Sequence, residues 1–152
     1  MGSDVVRLLQ TLPHPCGYYA DRTAQNIVID PSAPQLPHIY DVAVQRGYRR
    51  AGGHVYHPQC PTCSACVPAR IPVAAFLPDR SQRRCLKRNF DVKATLAPAR
   101  FTEEYFDLYP RYLDARHADG GMDNPDDQDF SRFLFTPWSP RWFLALTGPA
   151  RP

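Results

Sequence analysis

Three closely spaced cysteines, Cys60, Cys63 and Cys66, are the residues of this chain best suited to chemistry. Thiolates at C-x-x-C intervals can converge on one soft cation. Bacterial ferredoxins open their cluster motif with the same spacing, but the position of their fourth cysteine is Arg70 here. A complete site must borrow a ligand, and Cys16, Cys85, His54 and His57 are the candidates. The preferred set is Cys16, Cys60, Cys63 and Cys66, with zinc or an iron–sulfur cluster as the candidate metal. The plain alternative is a group of reduced cysteines in a turn-rich loop, with Cys85 an ordinary buried thiol.

A basic run follows, carrying Arg80, Arg83, Arg84, Lys87 and Arg88. On a helix, positions three and four apart share a face, so Arg80, Arg84 and Arg88 line up, as do Arg83 and Lys87. Such a face suits a phosphate backbone, and each contact would be salt-sensitive. The competing reading is a solvated charged helix. Arg46, Arg49 and Arg50 beside Tyr48 make a second basic cluster, with Tyr56 as a stacking surface. Two clusters favour a polyanionic partner. Signals for classical catalysis are poor. Asp114, His117 and Asp119 are close in sequence, but no serine or cysteine is placed to complete a triad. No phosphate-binding glycine motif, zinc-protease helix or nucleophile elbow occurs.

The elements that must position these groups are short. Seventeen prolines in 152 residues, roughly twice the usual 5%, imply many turns. The chain is long enough for one compact domain with its own core. The segment to about Leu12 reads as a short helix or loose arm, and Pro13 to Tyr19 as a turn. Asn26 to Asp30 reads as a strand, Ile39 to Gly47 as a helix, and Tyr48 to Tyr56 as extended chain around Gly52-Gly53. Arg70 to Phe76 is expected as a strand or edge segment, and Ser81 as the cap of a basic helix reaching about Asn89. Phe90 to Leu96 should be a strand. Thr102 should cap a helix that Pro110 kinks or splits, its stripe of aromatic residues facing the core. Asn124 to Asp129 reads as an acidic loop, and Arg141 to Thr147 as a final strand. Together these elements make an α+β chain.

Formal net charge is only +3, so local clusters carry more weight than the total. No apolar run reaches the length of a membrane span, and the N-terminus lacks a secretory pattern. Gly2 with Val6 is a weak match to a myristoylation start. Five cysteines, three of them in one run, fit a reducing cytosol better than a secreted disulfide frame.

Taken in order, the motifs are Cys16-x-Tyr18 with Asp21-Arg-Thr23, Gly47-Tyr-Arg-Arg-Ala-Gly52, and Tyr56-x-Pro58-x-Cys60-x-x-Cys63-x-x-Cys66-x-Pro68-x-Arg70. Then come Phe76-x-Pro-x-Arg-Ser-Gln-Arg-Arg84 with Arg88-Asn89, Leu108-Tyr109-x-x-Tyr112-x-x-x-Arg116-His117, and Gly121-Met122. The combination resembles the bacterial aspartate/glutamate leucyltransferases, the bacterial branch of the arginyl-tRNA–protein transferases. The resemblance covers roughly residues 15–140. It implies a cytoplasmic aminoacyltransferase that moves leucine (or arginine) from aminoacyl-tRNA to the N-terminus of proteins beginning with Asp or Glu. That marks them for degradation by the N-end rule pathway. The transfer chemistry it implies needs no cofactor, and the acceptor's neutral α-amine attacks the activated ester.

An acidic acceptor residue needs a cationic pocket, and Arg49, Arg50, Arg83 or Arg84 can provide it. With Arg80 and Arg88 these make the expected substrate-binding set; no catalytic residue is singled out. The resemblance also implies a boundary near residue 98. Residues 1–98 would form the cysteine-containing N-terminal domain, and residues 99–152 the beginning of an acetyltransferase-like α/β domain that this chain leaves incomplete.

Overall fold

The computed structural model describes residues 5–118, 122 and 124–149. The expectations for Gly2, Asp119, Gly121 and the last three residues lie outside the described residues. No helix is long and apolar enough to cross a membrane among the described residues.

The chain is a mixed α+β structure of short strands with four helices among the described residues. In chain order these are β1 (Leu8–Gln10), β2 (His14–Pro15), β3 (Thr23–Ala24), β4 (Asn26–Ile29), α1 (Leu36–Gln45), β5 (Arg49–Ala51) and β6 (His54–Pro58). They continue as α2 (Arg80–Arg88), β7 (Lys93–Pro98), α3 (Glu103–Arg116), α4 (Asp127–Leu134) and β8 (Trp142–Thr147). Two compact units form, each from two stretches of chain: Met1–Pro68 with Arg100–Pro140, and Ala69–Ala99 with Arg141–Pro152.

The first unit is built on an antiparallel sheet in the order β1-β4-β6-β5. Helix α1 carries Leu36, Ile39, Tyr40 and Ala43 at the i, i+3, i+4, i+7 spacing of one apolar face. That face packs with Ile29 and Val55 of the sheet, and Val55 is wholly buried. The helix ends as its sequence predicts, at Gly47, whose φ of +84° is a left-handed conformation that glycine adopts freely. A side chain at Gly47 would come within 2.7 Å of the Pro68 ring, so the same glycine lets the cysteine-bearing segment approach the helix end. Gly52, with φ +55°, plays the corresponding part in the β5–β6 turn. A Cβ there would lie 2.5 Å from the Arg132 carbonyl oxygen of α4.

A second apolar centre in this unit surrounds Phe130 of α4, which is 2% exposed. The rings of Phe101, Phe106, Tyr109 and Phe135 meet it edge-on. Thr102 caps α3 by accepting from the Tyr105 N–H at 3.2 Å. The helix runs through Pro110 without splitting. Residues expected to be an acidic loop instead start α4. The Asp126 side chain accepts from the Asp129 N–H at 2.7 Å, and Asp129 accepts in return from the Asp126 N–H. This reciprocal pair satisfies amides that the helix itself leaves open.

Residues 8–10, expected as part of a helix or loose arm, instead form β1, which pairs with β4, Leu9 opposite Val28. Beside this pairing sits the buried Asp30. One of its oxygens accepts from both the backbone N–H and the hydroxyl of Ser32, at 2.9 and 2.6 Å. The other receives the Arg7 guanidinium at 2.6–2.8 Å. The Ser32 hydrogen bonds first, and then Arg7, lower its pKa to about 2. Because the folded value is depressed, this carboxylate stabilises the fold fully above the ordinary range near about 4. The stabilisation is lost as pH falls through about 2. Asp30→Asn is expected to be less stable at pH 7, with the gap from wild type closing below about pH 4. Urea midpoints across that range check this, and a constant gap contradicts it.

In the second unit, β7 and β8 form an antiparallel ribbon from Lys93↔Thr147 to Pro98↔Trp142. The expected strand at Arg70 to Phe76 is absent, and Val73–Ala75 is a 3₁₀ turn. Pro72 lacks the N–H that a ladder needs. Helix α2 is capped by Asp79, two residues before the expected Ser81. Asp79 and Gln82 exchange side-chain hydrogen bonds to each other's backbone N–H, both 2.8 Å.

Candidate functional site

The β2–β3 turn, β6 and the segment after it enclose a cavity of about 650 Å³ within the first unit. Cys16, Cys60, Cys63 and Cys66 all line it, together with Arg22, Arg49 and His57. Cys16 is placed by its backbone N–H, which donates to the Arg22 carbonyl at 2.9 Å across the β2–β3 turn. The segment after β6 is anchored by the Gln59 N–H on the Gln25 carbonyl at 2.8 Å. Cys60 and Cys63 then face each other across a tight turn in an antiparallel bridge. Every cysteine is in the free thiol form, and Cys85, on α2, is exposed and not buried.

The four thiols share a cavity wall without gathering round one point. Among the described residues, no group of three or more His, Cys, Asp or Glu side chains is placed to hold a metal ion. The Cys60 thiol is directed at the Gln25 carbonyl, 3.8 Å away. Cys63 instead accepts from the Arg22 guanidinium at 3.0 Å. In this arrangement the residues do not fit a metal centre.

Arg22 itself lies over the Tyr19 ring, 4.2 Å from its centroid, a cation–π contact that holds the guanidinium at the cavity. The Ala65 backbone N–H and then Arg22 pull the Cys63 thiol below its ordinary pKa. The same contacts favour the thiolate form of Cys63. Arg22→Ala is expected to slow its alkylation by iodoacetamide several-fold at pH 7, followed by mass spectrometry of the labelled peptide. An unchanged rate would show that Arg22 does not govern that thiol.

The two adjacent arginines of β5 have different fates, as successive residues of a strand point to opposite faces. Arg49 lines the cavity, whereas Arg50 donates to the Gly52 carbonyl at 2.7 Å and braces the turn. His57 lies against Tyr48, their ring centroids 5.4 Å apart. Arg80, Arg83, Arg84 and Arg88 belong to the second unit, on an exposed α2 whose five cations occupy a single face. Arg83 donates to the Pro78 carbonyl. His117 contacts the Tyr112 hydroxyl at 3.2 Å next to the end of α3. Sequence reasoning gave Arg22 no role, although the residue sits inside one of the motifs that carried the resemblance.

A family model described as "Arginine-tRNA-protein transferase, N terminus" matches residues 14–84, which contain every residue of this cavity. The chain is also 53% identical over 129 residues to an aspartate/glutamate leucyltransferase of Pseudomonas fluorescens, covering 85% of this chain and 55% of that protein. Its likeness is to the arginine-tRNA-protein transferase family. Proteins named aspartate/glutamate leucyltransferase in Stenotrophomonas maltophilia and Xylella fastidiosa are 47% and 46% identical over 146 and 147 residues. They extend the match to 96–97% of this chain and 58% of each relative. The chain thus spans little more than half the length of the relatives it matches.

Proposed function

We propose that this chain takes part in aminoacyl transfer from aminoacyl-tRNA to the N-terminus of proteins beginning with Asp or Glu. The observation that carries the reading is the pairing of Arg22 and Arg49 on one cavity in a chain whose relatives are named aspartate/glutamate leucyltransferases. Two guanidiniums on a cavity wall suit the carboxylate of an acidic first residue. The acceptor's neutral amine, held beside the aminoacyl ester, attacks the carbonyl carbon; the amide bond forms and the tRNA hydroxyl leaves. Positioning supplies much of the rate in such a reaction, and no covalent intermediate on the protein is required. The cationic face of α2 supplies phosphate contacts for the tRNA in this reading. Leucine (or arginine) is the donated residue, the compartment is the cytoplasm, and the role is entry of the acceptor into N-end rule degradation. The boundary after residue 98 and an acetyltransferase-like second domain beginning at 99 belong to the same proposal.

The test is transfer of labelled leucine from charged tRNA to an Asp-initiated peptide, with an Asn-initiated peptide as control. Label that depends on the acidic residue is the expected result. The exposed cationic face of α2 favours a second reading, a module that binds tRNA or the acceptor N-terminus without completing transfer. Binding of both substrates with no labelled product would select it. A third reading, zinc or an iron–sulfur cluster held by Cys16, Cys60, Cys63 and Cys66, would require Cys63 to leave Arg22 and the four thiols to converge. Metal analysis after anaerobic purification decides that point. Metal lost on Cys60→Ser supports it, and metal-free protein rejects it.

A further inference from the structure

The cavity lined by the cysteines has room for more than one acidic side chain. Its volume of about 650 Å³ falls within the roughly 300–1,000 Å³ of clefts that enclose a drug-sized molecule. Part of its wall is apolar and open. Tyr18 and Tyr19, side by side in the β2–β3 turn, line it, and so does Val67, just after Cys66. Tyr18 is 78% exposed, Val67 77% and Tyr19 44%. Apolar side chains scattered singly over a surface need no explanation, but these share one cavity with Arg22 and Arg49.

Arg22 joins the cationic and aromatic parts of this wall. Its guanidinium covers the Tyr19 ring at 4.2 Å, and Tyr18 is the more open of the two tyrosines. A carboxylate held by Arg22 therefore lies beside the aromatic turn. The next residue of the same peptide is one Cα step of about 3.8 Å further on, within reach of Tyr18. We propose that Tyr18 forms a subsite for the side chain of the acceptor's second residue and selects a large apolar or aromatic one. The subsite rests on the reading of this cavity as the acceptor site. An aromatic second side chain lies offset or edge-on against the Tyr18 ring, and Val67 adds apolar contact. A glycine at that position covers nothing.

The test titrates the full chain with peptides that begin Asp-Phe, Asp-Leu or Asp-Gly and are identical beyond the second residue. A peptide beginning Asn-Phe is the control for the first residue. Asp-Phe is expected to bind roughly two- to tenfold more tightly than Asp-Gly, the worth of one aromatic pair, with Asp-Leu between them. Tyr18→Ala should erase the advantage of Asp-Phe. Tyr18→Phe should keep it, since the ring and not the hydroxyl makes the contact. Both substitutions fall at an exposed side chain, so the chain should fold in either case. Equal affinity for Asp-Phe and Asp-Gly overturns the subsite alone, and so does an advantage that survives Tyr18→Ala. If Asp-Phe binds no better than Asn-Phe, the acceptor reading of the cavity fails, and the subsite fails with it.

Discussion

Phe130→Ala is expected to cost about 3–5 kcal/mol of stability, the range for removing a large aromatic side chain from a packed interior. Phe130 is 2% exposed, and four aromatic rings stand around it with centroids 5.2–5.9 Å away, all near edge-on. Those rings come from the chain before α3, from α3 and from the end of α4, and their backbones are fixed by the caps at Thr102 and Asp126. They cannot close around the space that alanine leaves, so both the transfer and the cavity contributions are lost. With total stability commonly about 5–15 kcal/mol, the variant should unfold at far lower urea concentration. Phe90→Ala, at a residue 86% exposed, is the control and should shift the midpoint little. Equal midpoints for Phe130→Ala and wild type would mean that this aromatic centre does not hold the unit together.

Helix α1 was legible because Leu36, Ile39, Tyr40 and Ala43 repeat at the helical period and Gly47 supplies a stop. Helix α4 was not. Its first turn is rich in aspartate, which reads as a solvated loop until Asp126 and Asp129 are seen capping each other's backbone. The strand β1 was illegible for another reason. Leu8-Leu9-Gln10 has no alternation, and its conformation comes from β4, about 20 residues away, and from Arg7 on Asp30. Pro110 was expected to kink or split α3; the helix is not split, because tertiary packing around Phe130 outweighs one missing backbone hydrogen bond.

The site divides along the same line. The spacing of Cys60, Cys63 and Cys66 was visible locally, and so was the basic face of α2. Which arginine meets a thiol was not, because Arg22 and Cys63 are 41 residues apart in sequence. Nor does sequence separate Arg49 from Arg50; only the β5–β6 register sends one to the cavity and the other to the turn. The motifs carry the likeness to the family, and the fold sets Arg49, not Arg50, on the cavity.

That selection makes the strongest functional prediction. Arg49→Glu should weaken binding of an Asp-initiated peptide to the full chain by roughly thirtyfold or more. Losing one partner of a well-placed charged contact costs about 2–5 kcal/mol, and each 1.4 kcal/mol is about tenfold. Reversal adds repulsion to the loss, while partial exposure of Arg49 screens both. Arg22→Glu should act in the same direction with a smaller effect, since Arg22 is exposed and already engaged by Cys63 and Tyr19. Arg50→Glu separates the pocket from the turn: its guanidinium serves the Gly52 carbonyl, so stability should fall more than peptide affinity. Arg49→Lys keeps the charge and loses the bidentate fork, and should recover part of the affinity. Titration with Asp- and Asn-initiated peptides reads all four variants. If Arg49→Glu binds the acidic peptide as wild type does, this cavity is not the acceptor site, whatever the chain does with tRNA.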